Sequence, residues 1–371
     1  MSHKLGLALP AGGARAAYQV GVLKYLGAAI PEFNPKIFTG VSAGSINSCF
    51  LAQGEPFPEA TEHLHQLWSR LEFGQVLRTN FSSLFRMGLR WLSDLFLSRV
   101  TNKLLLKSLL DASPLSHTLL SHIHFLRIAQ AVRDGRVEGI SVSATNYHNG
   151  GTTIFFDSTE TIAPWAREKR RAVRTSIRVR HIMASCSIPI LFEPIRIGDF
   201  LYGDGSLRFS FPLSPAIHLG ATHIFAVGSA CPRPENALGF RPDHVSLGFV
   251  FGAVLNSIFL DSLESDYENL CRMNAAYAGV EQIATPSSER MRPVKAFLIR
   301  PSRDLGGMAK EFLNEVPFHF RQLLKSTASS EELGDLLSYL MFSPGYLRAL
   351  MDLGYRDAAG QHAAIQAFLA S

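Results

Sequence analysis

Apolar residues in this chain gather in short runs separated by polar and glycine-bearing breaks, and the period of each run predicts an element. Continuous apolar stretches too short for buried helices predict strands near Lys4–Leu9, Lys36–Gly40, Val137–Ala144, Thr152–Phe156, His223–Gly228 and Lys295–Arg300. A hairpin is expected over Ile195–Tyr202, turning at Gly198-Asp199. Helical patterns fill most intervals, notably Ala16–Ala28 directly after the first strand and Ala43–Ala52 directly after the second. Such alternation predicts an α/β fold, a three-layer α/β/α sandwich with its functional loops at the strand ends. Beyond about Arg300 the pattern turns helical over Ala309–Lys325, Glu331–Met341 and Tyr355–Leu369, a mostly helical C-terminal extension. The most apolar stretch, Val245–Leu260, is broken by Ser246, Asn256 and two glycines. It is shorter than the roughly 20 residues needed to cross a bilayer, so a buried core helix is expected.

A chain of 371 residues with 47% hydrophobic content can bury a substantial core, and its glycines and prolines are dispersed rather than gathered in a linker. The expected division is a core over 1–230, with 231–371 completing it and adding the helical extension. The four cysteines, Cys49, Cys186, Cys231 and Cys271, form no C-x-x-C pair, which argues against a disulfide framework or a zinc site. Strand-like sequence begins within a few residues of Met1, leaving no room for a leader peptide, and a cytoplasmic location with reduced thiols is expected.

Lys and Arg number 36 against 31 Asp and Glu, a formal charge of +5. The excess is uneven: Arg167, Lys169, Arg170, Arg171, Arg174, Arg178, Arg180 and His181 form a dense basic run that suits either a solvated helix face or an anionic lipid surface. Nucleic acid is not expected, since no binding motif accompanies the run. Leu84–Leu97 places Phe85, Leu89, Leu92 and Phe96 at helical spacing beside Trp91, which suits a lipid interface, a lid or a docked helix. Peripheral contact with an anionic membrane, at its inner face, is therefore one expectation.

Three segments carry chemistry. Gly40-Val41-Ser42-Ala43-Gly44 fits a nucleophile elbow between a strand and a helix, with glycines where Cβ atoms would collide across the turn. Upstream, Ala11-Gly12-Gly13-Ala14-Arg15 joins a strand to a helix. The backbone N–H groups of Gly12, Gly13 and Ala14 would face outward there as an anion cradle. Neither a G-x-G-x-x-G fingerprint nor a Gly-Lys-Ser/Thr phosphate loop is present. Downstream, Tyr202-Gly203-Asp204-Gly205-Ser206 ends the hairpin and leaves the Asp204 carboxylate free to reach a neighbour or to form a turn of its own. No histidine stands in a metal-ligand pattern, so neither cofactor nor metal is expected.

In this order and spacing the three segments resemble the patatin-like phospholipase family in its bacterial form. Ala17–Leu23, Ser141–Asn146, Ala184–Pro189 and Pro212–Ile217 continue the likeness. The resemblance spans about Leu5 to Gly228 and implies a patatin-like sandwich and a serine lipid acyl hydrolase of phospholipase A or lysophospholipase type. Ser42 would be its nucleophile and Asp204 its base, with Gly12, Gly13, Ala14 and Arg15 around the oxyanion and phospholipid or lysophospholipid as substrate. The chain departs from the family at Ala11 and Ala16, where glycines are usual, and at Ser206. Ala11 is harmless at negative φ and costs about 1 kcal/mol at positive φ. Alternatives are an acyltransferase on the same site, a lipid-binding protein with a weak site, or a Ser-Asp-His hydrolase using His218, His223 or His244.

Overall fold

The computed structural model describes residues 3–78, 110–159, 162–209, 212–232, 247–278, 293–318, 321–322 and 333–371. Leu84–Leu97 and His244 lie outside these residues. One sheet is built from β1 (Leu5–Leu9), β2 (Ile37–Val41), β3 (Gly139–Asn146), β4 (Gly151–Ser158), β5 (Ala166–Arg167), β6 (Arg170–Arg174), β7 (Ile195–Ile197), β8 (Phe200–Asp204), β9 (His223–Val227) and β10 (Lys295–Ile299). Its main order is β10-β9-β1-β2-β3-β4-β6-β5. The strands from β10 to β3 are parallel, and β4 returns antiparallel along all of β3. β1, β2, β3 and β9 are buried at every residue, as expected of strands covered by helices on both faces. The chain is thus the expected three-layer α/β/α sandwich.

β8 determines how the site is assembled. It runs antiparallel to the last residues of β3, from Ala144 opposite Asp204 to Asn146 opposite Tyr202. Because β4 occupies one edge of β3 throughout, β8 takes the other edge, which β2 occupies as far as Ser143. β2 therefore stops at Val41 beside Ser143, and β8 arrives from the opposite direction and stops at Asp204 beside Ala144. Two chain ends 163 positions apart meet in one row of the sheet.

Helix α1 (Ala16–Ala29) returns from β1 and is buried on nearly all sides. Helix α2 (Ala43–Leu51) follows β2, and α3 (Phe57–Ser69) packs outside both. The buried environment of α1 requires small residues, because the C-terminal helix Pro344–Gly360 lies directly on it. A Cβ on Gly21 would strike the Met351 carbonyl, and one on Gly354 would strike the Tyr18 carbonyl. The C-terminal part also supplies β10, so it belongs to the core of the sandwich.

Several boundaries differ from the sequence-based expectation. The helix expected over Ala309–Lys325 starts at Leu305, where the Asp304 carboxylate accepts the Gly306 and Gly307 N–H groups, and ends at Glu311. The segment expected from Tyr355 begins at Pro344, whose fixed φ suits the first turn, and breaks at Gln361 before a second helix, His362–Ala370. The helix Leu247–Phe259 is not buried all round: Leu255 and Phe259 face the core while Val250 and Val254 are exposed. Most of the basic run is not a helix face but the edge ribbon β5–β6; Arg178 precedes the helix Val179–Ser185, and Arg180 and His181 lie in its first turn. Charge on an edge strand blocks pairing with another sheet, and that charge masked the strand signal. His181 adds nothing to the charge: it is buried against Phe155, and burial lowers its pKa to about 4. Among the described residues no helix is long and apolar enough to cross a membrane.

Candidate active site

Ser42 lies one residue beyond β2 with φ 51° and ψ −129°, a conformation that costs a non-glycine residue of order 1–3 kcal/mol. Surrounding bonds hold it there. Its N–H donates to Ser185 Oγ at 2.8 Å, and that hydroxyl donates to the Ser143 carbonyl at 2.6 Å. Its carbonyl accepts from the N–H of Ser45 at 2.8 Å and from Ser45 Oγ at 2.6 Å, which opens α2. The elbow glycines are needed for close approach: a Cβ on Gly40 would meet Ser45 Cα at 2.5 Å, and one on Gly44 would meet the Pro10 carbonyl at 2.5 Å. The turn therefore presses against the upstream loop.

That loop opens a short 3-10 turn, Gly13–Arg15, which leads directly into α1. The first N–H to bond within the turn is that of Arg15, to the Gly12 carbonyl at 3.0 Å, and the turn itself offers no acceptor to the N–H groups of Gly12, Gly13 and Ala14 before it. Gly13 has φ 53°, while Ala11 is not among the residues with positive φ, so its extra methyl imposes no backbone strain. A buried polar chain fixes the start of the loop. Trp68 Nε1 donates to Asn47 Oδ1 at 2.9 Å, Asn47 Nδ2 to Gln19 Oε1 at 3.0 Å, and Gln19 Nε2 to the Pro10 carbonyl at 2.8 Å. Arg15 turns away from the pocket toward the helix Leu333–Leu340, donating to Ser338 Oγ at 2.7 Å and Asp335 Oδ1 at 3.0 Å.

Asp204 is 1% exposed. Its Oδ1 accepts the Ser206 N–H at 2.9 Å, whereas Oδ2 has no hydrogen-bond partner among the described residues. Burial raises its pKa to about 6, and the Ser42 hydroxyl and the Ser206 N–H offset part of that rise. Gly205 allows close approach here, since a Cβ there would strike the Ser143 carbonyl and crowd Val41 Cγ1 at 2.8 Å. Cys186 borders the same space, but burial, reinforced by Asp204, pushes its thiol pKa up and keeps it protonated, unsuited to act as a nucleophile.

A narrow pocket of about 60 Å³ opens over Ser42 and Gly13. Its walls are almost wholly apolar, from Ile46, Leu67 and Trp68 on the α2–α3 side to Leu119, Phe192 and Phe342 opposite. A hydrocarbon chain fits this lining, and a charged headgroup does not.

Of the histidines considered for a triad, His223 and His218 lie elsewhere. His223 opens β9 in register with Leu5, at the opposite end of the strands from Ser42, roughly 20 Å away at about 3.3 Å per residue. His218 stacks on Trp165 with ring centroids 4.5 Å apart. No group of acidic, histidine or cysteine residues among those described could hold a metal ion. Sequence reasoning singled out Ser42, Asp204 and the glycine loop, but did not name Ser185, Gln19, Asn47, Asp335 and Ser338 as supports. Ser185 lies in the Ala184–Pro189 segment, where its partners cannot be read from neighbouring residues.

The family model described as patatin-like phospholipase matches residues 7–217. No curated protein matches the chain. Among solved structures, VipD from Legionella pneumophila is 14% identical at a TM-score of 0.34, covering 95% of this chain and 67% of its own. Human GIVD cytosolic phospholipase A2 in complex with methyl gamma-linolenyl fluorophosphonate is 14% identical at 0.39, covering 99% and 58%. The type III effector protein ExoU, of Pseudomonas aeruginosa, is 13% identical at 0.31, covering 94% and 54%. The chain thus spans little more than half the length of the latter two. The family match covers more than half of this chain and contains the glycine loop, the elbow and Asp204 within its bounds, and the chain belongs to the patatin-like phospholipase family.

Proposed function

We propose that this protein is a serine lipid acyl hydrolase of phospholipase A or lysophospholipase type. The observation that supports this reading is the meeting of β2 and β8 beside β3, with a strained serine that lines an apolar pocket at the end of one strand and a buried carboxylate with one unpartnered oxygen at the end of the other. In this scheme the acyl chain enters the pocket and the ester carbonyl lies over Ser42. Asp204 takes the Ser42 proton as Oγ attacks, and the N–H groups of Gly12, Gly13 and Ala14 stabilise the oxyanion. The leaving alcohol takes the proton from Asp204. Water then attacks the acyl-enzyme, with Asp204 again as base, and the fatty acid is released as Asp204 returns the proton to the departing Ser42 oxygen. The site runs between the neutral hydroxyl and the carboxylate, and desolvation raises the basicity of that carboxylate toward the working pH.

Lipid substrates sit in aggregates, and the exposed Arg167, Lys169 and Arg171 of the β5–β6 ribbon suit anionic headgroups. Phospholipids, lysophospholipids, monoacylglycerols and short nitrophenyl esters, the phospholipids also as phosphatidylglycerol vesicles at low and high salt, provide the test. Wild type should release fatty acid, faster from the vesicles at low salt, and Ser42→Ala and Asp204→Asn should each lose activity by a thousandfold or more while staying folded. Retained activity in either variant defeats the dyad. Salt-independent hydrolysis of the vesicles defeats the headgroup contact alone.

A further inference from the structure

Arg15 is 2% exposed, and a guanidinium so deeply buried needs compensation for the water it has lost. All of that compensation recorded among the described residues comes from one helix, Leu333–Leu340, which lies more than three hundred positions downstream and outside the family-matched region. Asp335 Oδ1 and Ser338 Oγ accept from Arg15 at 3.0 and 2.7 Å, and the Tyr339 ring lies 4.1 Å from the guanidinium carbon. Ser338 Oγ in turn donates to the Asp335 carbonyl at 2.5 Å, which fixes the acceptor toward Arg15. The same helix touches the loop backbone: a Cβ on Gly13 would strike the Tyr339 carbonyl and meet Tyr339 Cα at 3.3 Å. Tyr339, Leu340 and Phe342 then continue into the pocket wall beside Gly13 and Ser42.

We propose that Asp335 and Ser338 are positioning residues for ester hydrolysis: through Arg15 they hold the Gly12-Gly13-Ala14 turn in its anion-binding shape. This rests on the reading of Ser42 as nucleophile. The glycines make the turn soft, and Gly13 sits in a left-handed conformation that a free loop would leave part of the time. A planar fork bonded at two points to a packed helix, with its third face on an aromatic ring, removes that freedom. The oxyanion donors are then in place before the substrate arrives, which is where electrostatic preorganisation has its effect. The C-terminal part of the chain is in this way a component of the catalytic apparatus.

The test uses the full chain carrying Asp335→Asn, Ser338→Ala or Asp335→Glu. One readout is amide exchange in the peptide containing Arg15, whose N–H bonds to the Gly12 carbonyl at 3.0 Å. The other is kcat and KM on a short nitrophenyl ester that barely enters the pocket. Asp335→Asn and Ser338→Ala should speed exchange in that peptide while leaving β2 and α3 protected. They should lower kcat about tenfold or more, a share of the 10²–10³ lost when an oxyanion donor is removed outright, with KM nearly unchanged. Asp335→Glu should recover part of the loss. Ser338→Ala removes a single hydroxyl and remains informative if Asp335→Asn unfolds. Wild-type exchange and wild-type kcat in both variants overturn the proposal. If wild type hydrolyses no ester, the Ser42 reading fails instead, and the exchange measurement still decides whether the helix holds the loop.

Discussion

Asp204 is held in an environment that favours its neutral form, and this has consequences for both activity and stability. Desolvation raises its pKa from the usual carboxylate range to about 6, so the carboxylate proposed as base forms only as pH rises through about 6. Turnover should climb with a single ionisation across pH 5 to 7 and level off above. The same shift works against folding. The folded state binds this proton more tightly than the unfolded chain does, so the stability contributed by Asp204 is greatest below about pH 4. It falls as pH rises toward 6, and the penalty is complete above that. Asp204→Asn should therefore unfold at higher temperature than wild type at pH 8 and at nearly the same temperature at pH 4, as thermal denaturation at both values will show. An activity profile flat from pH 5 to 8, or a variant less stable at pH 8, would remove Asp204 from the role of buried base. Ser42 shows the same trade, since its φ of 51° is maintained by bonds to Ser185 and Ser45 rather than by its own preference.

The elements divide into those a local pattern reveals and those it does not. β1, β2 and β9 were legible because a strand covered on both faces is apolar throughout, and the glycines of the elbow were legible because a sharp strand-to-helix turn excludes Cβ atoms. β5 and β6 were not, because edge strands tolerate arginine and lose their apolar signature. Likewise the start of the C-terminal helix at Pro344 was hidden, since Pro344-Gly345 reads as a turn although Tyr346 and Leu347 already begin the buried stripe that Leu350 and Met351 continue. Its contact with α1 is sensitive to single atoms. Gly354→Ala would push a methyl into the Tyr18 carbonyl, and Gly21→Ala would push one into the Met351 carbonyl, with backbone on both sides unable to yield cheaply. Either should destabilise the fold by about 2 kcal/mol, the scale of core overpacking, read as a lower urea midpoint at unchanged slope. Gly360→Ala, where a Cβ would meet nothing within 4 Å, should leave the midpoint in place.

Across the whole molecule, the site depends on contacts between residues remote in sequence. Ser42 and Asp204 could each be singled out from flanking glycines, yet their meeting depends on β8 reversing onto the free edge of β3, a register no local window contains. Arg15 could be seen beside the glycine loop, but its partners Asp335 and Ser338 stand 320 and 323 positions away. The C-terminal part supplies an outer strand, a helix against α1 and one wall of the pocket, so removing it would open the core as well as the site. The proposed chemistry passes through an ester of Ser42, and that intermediate can be caught. Wild type is mixed with a long-chain nitrophenyl ester, quenched in acid within the first turnovers and digested, and its peptides are weighed. The peptide containing Ser42 should carry the mass of the acyl group, and Asp204→Asn should show no such adduct on the same timescale. An acyl group found on any other residue, or steady hydrolysis by Ser42→Ala, would contradict the assignment of Ser42 as nucleophile.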